Sequence, residues 1–214
     1  MSHPVMSAWH VIVPVKSRFR AKSRLQPPPG VARPDLAFAL AMDTLTVVRE
    51  VVRADRVIVV TEDDKVSAEM ARHDITTVAD PGRGLNGAVQ AGLREADRRR
   101  PGLPAAVLLG DLPALRADEL YAGLRACAAT ESALVPDHDG SGTVLLTHHD
   151  AAALAPRFGR GSAARHARRC TVLELDLPTL RHDVDDIRSL ELAVEMGLGP
   201  WSSEALATAG TKSA

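Results

Sequence analysis

Short runs of consecutive apolar residues recur along the chain, and longer segments with a helical spacing of apolar residues lie between them. The apolar runs are rich in valine, leucine and isoleucine and are too short for helices, so they predict buried β-strands. The predicted strands cover residues 9–15, 56–61, 75–80, 105–115, 132–137, 142–149 and 171–177. The predicted helices cover residues 35–52, 63–73, 84–100, 116–129, 161–169 and 186–197.

Strands that alternate with helices indicate an α/β fold, in which a mostly parallel mixed sheet is covered by helices on both faces. Asp35 is the expected N-cap of the first helix. Because no repeat or long linker divides the chain, residues 1–200 are expected to form a single domain. Residues 201–214 are mostly small or polar, and they predict a flexible C-terminal tail.

The composition excludes several classes of protein. Hydrophobic residues make up 45% and charged residues 25%, with a net charge of -1, which is typical of a globular protein and not of a nucleic-acid coat. No apolar run reaches the roughly 18 residues of a membrane span, and no basic segment precedes the first run as in a signal peptide. Cys127 and Cys170 are too few for a disulfide framework and are expected to be small buried hydrophobes. We therefore expect a cytoplasmic protein without a membrane or nucleic-acid partner.

Basic residues are concentrated near the start of the chain, where the first 34 residues hold six of them and no acidic residue. Lys16, Lys22 and Arg24 follow the first predicted strand, and α/β sheets bind ligands at the carboxyl ends of their strands. Cationic side chains at this position favour phosphate binding, with a solvated surface loop as the alternative. The glycine patterns of P-loops and of dinucleotide-binding folds are both absent.

Three aspartates are candidate metal ligands. Asp111 follows the fourth predicted strand in the sequence Gly-Asp-Leu-Pro, and Asp183 and Asp185 precede the last predicted helix. In an extended segment the i, i+2 spacing directs both carboxylates to one side, whereas Asp186 is expected to cap the following helix. Carboxylate oxygens are the ligands that Mg²⁺ prefers. The three aspartates predict a metal-dependent phosphate-transfer site, with a helix-capping cluster as the alternative for Asp183 and Asp185.

Several segments of the chain together resemble one known family. They are KSRFRAKSRL at 16–25, DPGRGLNGA at 80–88, GDLP at 110–113, GT at 142–143, RFGRGSAARH at 157–166 and DVD at 183–185. The combination is similar to the CofC/FbiD guanylyltransferases of deazaflavin coenzyme F-420 biosynthesis, which have a Rossmann-like, glycosyltransferase-A-like nucleotidyltransferase fold. The resemblance covers about residues 9–200, and the last two segments are its most specific part.

The resemblance implies an enzyme that joins GTP and phosphoenolpyruvate, giving enolpyruvyl-diphospho-5′-guanosine and pyrophosphate. By motif it implies catalysis by Lys16 and Asp111, phosphoenolpyruvate binding by Thr143, Gly159 and Ser162, nucleotide binding by Lys16, Lys22, Arg24 and Asn86, and Mg²⁺ binding by Asp111, Asp183 and Asp185. It also implies that the product passes to the next enzyme of the pathway. The sequence does not distinguish a monomer from a homodimer.

Other substrates present the same chemical groups. Like phosphoenolpyruvate, 2-phospho-L-lactate and 3-phosphoglycerate carry one carboxylate and one phosphate, so residue chemistry leaves all three open. A nucleotidyltransferase of the same fold acting on a sugar phosphate or molybdopterin is a second alternative, and a non-catalytic nucleotide-binding protein is a third. The roles of Arg18, Arg20, Arg157 and Arg165 stay open, as does the choice for His166 between a substrate contact and a helix surface.

Overall fold

The computed structural model describes residues 9–22 and 25–210, without the side chains of residues 209 and 210. Its strands are β1 (His10–Pro14), β2 (Val57–Val60), β3 (Thr76–Val78), β4 (Ala105–Leu108), β5 (Ser132–Pro136), β6 (Thr143–His148) and β7 (Thr171–Val172). Its helices are α1 (Arg33–Val51), α2 (Asp64–Ala71), α3 (Gly84–Arg99), α4 (Ala117–Cys127), α5 (Ser162–His166), α6 (Ile187–Met196) and α7 (Pro200–Gly210), with a 3₁₀ turn at Ala54–Arg56.

The described strands form one sheet in the order β3-β2-β1-β4-β6-β5-β7. Strand β6 is antiparallel to both of its neighbours, and every other neighbouring pair in this sheet is parallel. This confirms the predicted mostly parallel mixed sheet. The strand order reverses beside β1, since β2 and β3 lie on one side of it and β4 on the other. The carboxyl ends of β1 and β4 therefore flank the crevice in which such sheets bind ligands.

Alternate side chains of β1 point to opposite faces of the sheet, and helices cover both faces. Val11 and Val13 belong to a buried cluster with residues of α1, α2 and α4, whereas Ile12 belongs to a second cluster with residues of α3 and α5. The central strands β2 and β4 consist of apolar residues because both of their faces are buried, and such runs are recognisable in the sequence.

Helix α1 begins two residues before the predicted N-cap. Its N-cap is Ala32, so the prediction that Asp35 caps this helix is wrong. Pro34 lies in the first turn, where the backbone N–H that proline lacks would have no partner within the helix. Asp35 also lies in the first turn, and its negative charge is favourable beside the positive end of the helix dipole.

Strands β4 and β7 fall furthest short of their predicted lengths. Strand β4 ends at Leu108, because the chain turns through Gly110 instead of continuing along the sheet. Strand β7 retains only Thr171–Val172 of the predicted 171–177, and the N–H of Leu173 makes a further bond, 2.9 Å long, to the carbonyl of Leu134. Because β7 is the edge of the sheet, a ladder on one side alone holds it.

Residues 200–210 form helix α7, which corrects the prediction of a flexible tail for this part of the chain. The buried carboxylate of Asp43 in α1 accepts hydrogen bonds from the backbone N–H groups of Trp201 and Ser202, each 2.9 Å long. These are groups that the first turn of a helix leaves without an intrahelical partner. The ring of Trp201 packs edge-on against Phe38, with 5.8 Å between the ring centroids. Residues 211–214 lie outside the described part.

Both cysteines are free thiols. Cys127 is fully buried, as predicted, and burial raises the pKa of its thiol to about 11. Cys170 is only partly buried. Within residues 9–22 and 25–210, no helix combines the length and the apolar character that a membrane span requires.

Candidate functional site

Three carboxylates from two distant segments meet at the carboxyl edge of β4. One oxygen each from Asp111, Asp183 and Asp185 lies within 4.8 Å of the others. This confirms the prediction that the i, i+2 pair faces the same point as Asp111. Asp186 turns away and caps α6, where its side chain accepts from the N–H of Ser189, so it is the capping residue that the sequence predicted.

The turn after β4 holds Asp111 in place from both sides. A Cβ on Gly110 would lie 2.9 Å from the carbonyl oxygen of Pro14, so the close approach of the β1 and β4 ends requires glycine here. On the other side, Leu112 is fully buried, and its N–H donates to the hydroxyl of Thr44 over 2.9 Å. The Gly-Asp-Leu sequence thus anchors two neighbours in the core and leaves the aspartate between them at the edge.

The segment around Val184 is tied to the same turn. The N–H of Val184 donates to the carbonyl of Asp111 over 3.1 Å, and the Val184 side chain is fully buried against α1 and α6. In an extended segment, burying this side chain directs its two neighbours to the opposite side. The apolar residue between the two aspartates is therefore what aims Asp183 and Asp185 at Asp111.

The electrostatics of the cluster favour a bound cation. Burial, reinforced by the nearby charges of Asp111 and Asp185, raises the pKa of Asp183 to about 7. Oδ1 of Asp111 is buried and has no hydrogen-bond partner among the described residues. Such a set of hard oxygen donors, including an unpaired buried one, fits a divalent cation of the Mg²⁺ type.

Lys22 places its ammonium group in this cluster. Its Nζ lies 2.5 Å from Oδ2 of Asp111 and 3.2 Å from Oδ1 of Asp185, and only 9% of its side chain is exposed. Burial disfavours the charged ammonium, but the attraction of the two carboxylates outweighs burial and raises the pKa of Lys22. Its backbone φ of 53° is in the left-handed region, which a non-glycine residue rarely adopts.

Other basic residues of the first loop contact the segment between β2 and α2. The backbone N–H of Arg18 donates to Asp63, and its guanidinium lies 2.5 Å from the same carboxylate. Asp63 is also the N-cap of α2, so this contact ties the loop to a fixed point of the fold. Arg20 makes an exposed 3.3 Å pair with Glu62. Lys16 is exposed on the same loop, and Arg24 lies outside the described residues.

A second polar group lies at the same edge of the sheet as the carboxylates and contains the predicted acceptor-binding hydroxyls. The hydroxyls of Thr143 and Ser162 are 3.3 Å apart, and both residues are 2% exposed. Thr143 begins β6, whose next residue, Val144, accepts from the N–H of Leu109 over 3.0 Å. Because Leu109 is two residues before Asp111, the hydroxyl pair and the carboxylate cluster lie at the same edge of the sheet.

Asn86 and Arg165 both hold the loop that carries Gly159. Asn86 uses both ends of its amide on the backbone of Phe158, accepting from its N–H over 2.7 Å and donating to its carbonyl over 3.1 Å. Arg165 donates to the carbonyls of Arg157 and Arg160, over 3.0 and 2.6 Å. Gly159 has a φ of 119°, a conformation that favours glycine. Asn86, predicted to bind the nucleoside, is thus engaged with the loop of the predicted acceptor site.

Comparison with known proteins identifies the family. The MobA-like NTP transferase domain matches residues 39–176. A phosphoenolpyruvate guanylyltransferase from Geodermatophilus obscurus is 42% identical over 207 residues, which cover 93% of this chain and 94% of that protein. The chain belongs to this family of MobA-like nucleotidyltransferases. A protein of the same name from Streptomyces coelicolor is 42% identical over 196 residues, covering 90% of this chain and 92% of that one.

A solved structure shares the fold of this nucleotidyltransferase. The putative nucleotide-diphospho-sugar transferase from Desulfovibrio desulfuricans superposes with a TM-score of 0.60 at 17% identity, covering 87% of this chain and 86% of that one. At that identity the likeness concerns the fold alone. It agrees with the nucleotidyltransferase fold that the sequence predicted.

The sequence left the role of His166 open and gave no indication of the pairing of Lys22 with Asp111. His166 is 2% exposed and bonds to Thr143, so it is not a helix-surface residue. Its burial could have been anticipated from its helical spacing, since it follows the buried Ser162 and Ala163 by four and three residues. Its partner could not, since Thr143 is 23 residues away. The pairing of Lys22 with Asp111 spans 89 residues and has no local signal at all.

Proposed function

We propose that this nucleotidyltransferase transfers GMP from GTP to phosphoenolpyruvate, forming enolpyruvyl-diphospho-5′-guanosine and pyrophosphate for coenzyme F-420 biosynthesis. The observation that carries the proposal is the location of both the carboxylate cluster and the buried hydroxyl pair of Thr143 and Ser162 at one edge of the sheet. Two relatives at 42% identity bear the name of this activity over almost the whole chain. A site for two anionic substrates needs both cations and hydroxyl donors, and this edge supplies both.

On the donor side, Asp111, Asp183 and Asp185 would hold Mg²⁺, which when bound neutralises phosphate charge and stabilises the leaving pyrophosphate. The basic residues Lys16, Lys22 and Arg24 would bind the phosphates of GTP. Of these, Lys22 is already at the carboxylate cluster, and the exposed side chain of Lys16 extends from the same loop. Removing negative charge from this region lowers the barrier to bringing two polyanions together.

On the acceptor side, Thr143, Ser162 and the backbone around Gly159 would bind phosphoenolpyruvate. A phosphate oxygen of the acceptor attacks the α-phosphorus of GTP, a new P–O bond forms there, and the bond to the β-phosphate oxygen breaks. The acceptor phosphate is already ionised near neutral pH, so the chain needs to orient it and need not remove a proton from it. Hydroxyl and backbone donors fixed before the substrate arrives perform that orientation without reorganisation.

The decisive experiment incubates the purified protein with GTP and Mg²⁺ and each of three acceptors: phosphoenolpyruvate, 2-phospho-L-lactate and 3-phosphoglycerate. We expect pyrophosphate release with phosphoenolpyruvate and a product of the corresponding mass. Faster turnover of either other acid would reassign the acceptor. A sugar phosphate and molybdopterin are tested as further acceptors, and turnover of one of these alone would overturn the proposal. GTP binding without turnover of any acceptor would indicate a nucleotide-binding protein. ATP in place of GTP tests the choice of base.

We also propose that the enzyme works in the cytoplasm, as a monomer or homodimer, and passes its product to the next enzyme of the pathway. Light scattering of the purified protein distinguishes the two oligomeric states. A shorter lag in the coupled reaction than free diffusion of the product allows would support direct transfer.

A further inference from the structure

His166 joins the two parts of the predicted acceptor site. Its Nδ1 lies 2.9 Å from the hydroxyl oxygen of Thr143, and its Nε2 accepts from the backbone N–H of Arg157 over 2.8 Å. The ring is 2% exposed and packs edge-on against Phe158, with 5.1 Å between centroids. One imidazole therefore contacts the hydroxyl pair on one side and the loop of Gly159 on the other.

The bond to Arg157 determines which ring nitrogen carries the proton. A backbone N–H can only donate, so Nε2 must accept and cannot itself be protonated. In the neutral ring the proton is then on Nδ1, which donates to the hydroxyl oxygen of Thr143. The positive charges of Arg165 and Arg157 add to the effect of burial in keeping the ring neutral, and the pKa of His166 is lowered to about 4.

This tautomer has a consequence for the hydroxyl pair. Thr143 accepts from His166, and one hydrogen bond joins Thr143 to Ser162. Two hydroxyls contribute two protons, of which that bond uses one. Neither of these bonds uses the other proton, so the pair retains a single O–H donor for a ligand. Were Nε2 protonated instead, Thr143 would have to donate to Nδ1, and no proton would remain once Ser162 donates to Thr143.

We propose that His166 is a positioning residue for the acceptor, which fixes the hydroxyls of Thr143 and Ser162 and the Arg157–Gly159 backbone as one preformed donor set for the oxygens of a phosphorylated carboxylic acid. The inference rests on the proposed function and names a residue through which the acceptor site acts. His166 is not a proton acceptor in the reaction, because both of its nitrogens are engaged inside the protein.

Three substitutions of His166 distinguish the contributions of its two hydrogen bonds. In His166→Asn the amide nitrogen can take the place of Nδ1 and donate to Thr143, whereas in His166→Gln the amide oxygen can take the place of Nε2 and accept from Arg157. His166→Leu loses both bonds. We expect His166→Leu to raise the KM for the acceptor roughly 10-fold or more, with the KM for GTP within about two-fold of wild type. His166→Asn should recover more of the acceptor affinity than His166→Leu does.

The matched control is His10→Gln, which replaces another buried histidine at the amino end of β1, away from the site. It should leave both KM values unchanged even if it lowers the melting temperature. An acceptor KM within two-fold of wild type in His166→Leu, or equal rises in the KM for GTP and for the acceptor, would overturn the proposal. Absence of acceptor turnover in the wild-type enzyme would instead overturn the proposed function, so the two failures are distinguishable.

A second measurement does not depend on turnover. The ¹⁵N chemical shifts of the His166 ring in the folded wild-type protein at pH 7 should be those of the Nδ1–H tautomer. The Nε2–H tautomer, or a charged ring at that pH, would contradict the hydrogen-bond assignment and with it the proposal.

Discussion

The ammonium group of Lys22 lies 2.5 Å from the carboxylate of Asp111 and 3.2 Å from that of Asp185, so a side chain of the protein already neutralises part of the proposed metal site. A divalent cation bound to the same oxygens must displace or repel this ammonium. Lys22 is then available for other anions, and the phosphates of GTP are the nearest candidates under the proposed function. Under the proposed function, Lys22 and the metal would therefore compete in the free enzyme and would act together once the nucleotide is bound.

We predict that Lys22→Ala binds Mn²⁺ several-fold more tightly than wild type in the absence of nucleotide, because the competing ammonium is gone. The same variant should lose at least roughly 10-fold in kcat/KM, because a phosphate-binding cation is missing. Electron paramagnetic resonance of free Mn²⁺ measures the first effect. Lys65→Ala, which removes an exposed lysine paired with Asp35, is the control and should change neither quantity. Weaker Mn²⁺ binding in Lys22→Ala would refute the competition.

Asp111→Asn should lower kcat by roughly 100-fold or more while the fold is retained, because a charged metal ligand becomes neutral and keeps its shape. Asp186→Asn is the matched control, one residue beyond Asp185. Asparagine caps helices about as well as aspartate, so this variant should keep wild-type activity and stability. Steady-state pyrophosphate assays across Mg²⁺ concentrations check both, and full activity of Asp111→Asn would remove it from the metal site.

Asn86→Ala breaks both hydrogen bonds that hold the backbone of Phe158. We expect the KM for the acceptor to rise roughly 10-fold with little change in the KM for GTP, because the loop of Gly159 loses one of its supports. Gln90→Ala, an exposed change one turn further along α3, should have no effect. A raised KM for GTP with an unchanged KM for the acceptor would instead favour the nucleoside contact that the family resemblance implies.

His166 should make the stability of the protein depend on pH in a defined window. Burial, with the charges of Arg165 and Arg157, lowers its pKa in the folded state from 6.5 to about 4. The unfolded chain thus binds a proton between these values while the folded chain does not, and the free energy of unfolding falls as the pH decreases from about 6.5 to about 4. Urea unfolding of wild type and His166→Gln at pH 7.5 and 4.5 tests this. The variant should lose less stability on acidification, and an equal loss would contradict the prediction.

Asp43→Ala should lower the free energy of unfolding by about 1–3 kcal/mol, since two N–H groups at the start of α7 lose their partner. Asp35→Ala, an exposed change on the same helix, should cost no more than about 0.5 kcal/mol. Urea denaturation provides the comparison. Similar midpoints for Asp43→Ala and wild type would mean that α7 does not depend on this contact.

The case of α7 shows what could not be predicted from the sequence. The segment after Trp201 has little amphipathic pattern, and its first turn depends on a carboxylate 158 residues earlier in the chain. A helix whose stability comes from tertiary contacts has no local signal. The prediction that Asp35 caps α1 failed for another reason. An acidic residue is favourable within the first turn of a helix as well as at its N-cap, so the residue type alone does not determine the position.

The strands and the shared orientation of Asp183 and Asp185 were predictable because their causes are local. Continuous apolar runs identify strands that are buried on both faces, and the alternation of Asp183, Val184 and Asp185 determines which side chains share a side. Lys22 and Asp111 are 89 residues apart, and Asn86 and Phe158 are 72 residues apart. Both contacts depend on the geometry of loops, which a periodic sequence pattern does not indicate.

The antiparallel direction of β6 has a consequence for how substrate choice can evolve. Its amino end, with Thr143, lies at the edge where the parallel strands have their carboxyl ends, and β4 separates it from β1, β2 and β3. The proposed acceptor contacts therefore come from one continuous stretch, residues 143–166, that is distinct from the first loop and its cations. Under the proposed function, changes confined to that stretch are therefore expected to alter the choice of acceptor acid and to leave nucleotide binding in place.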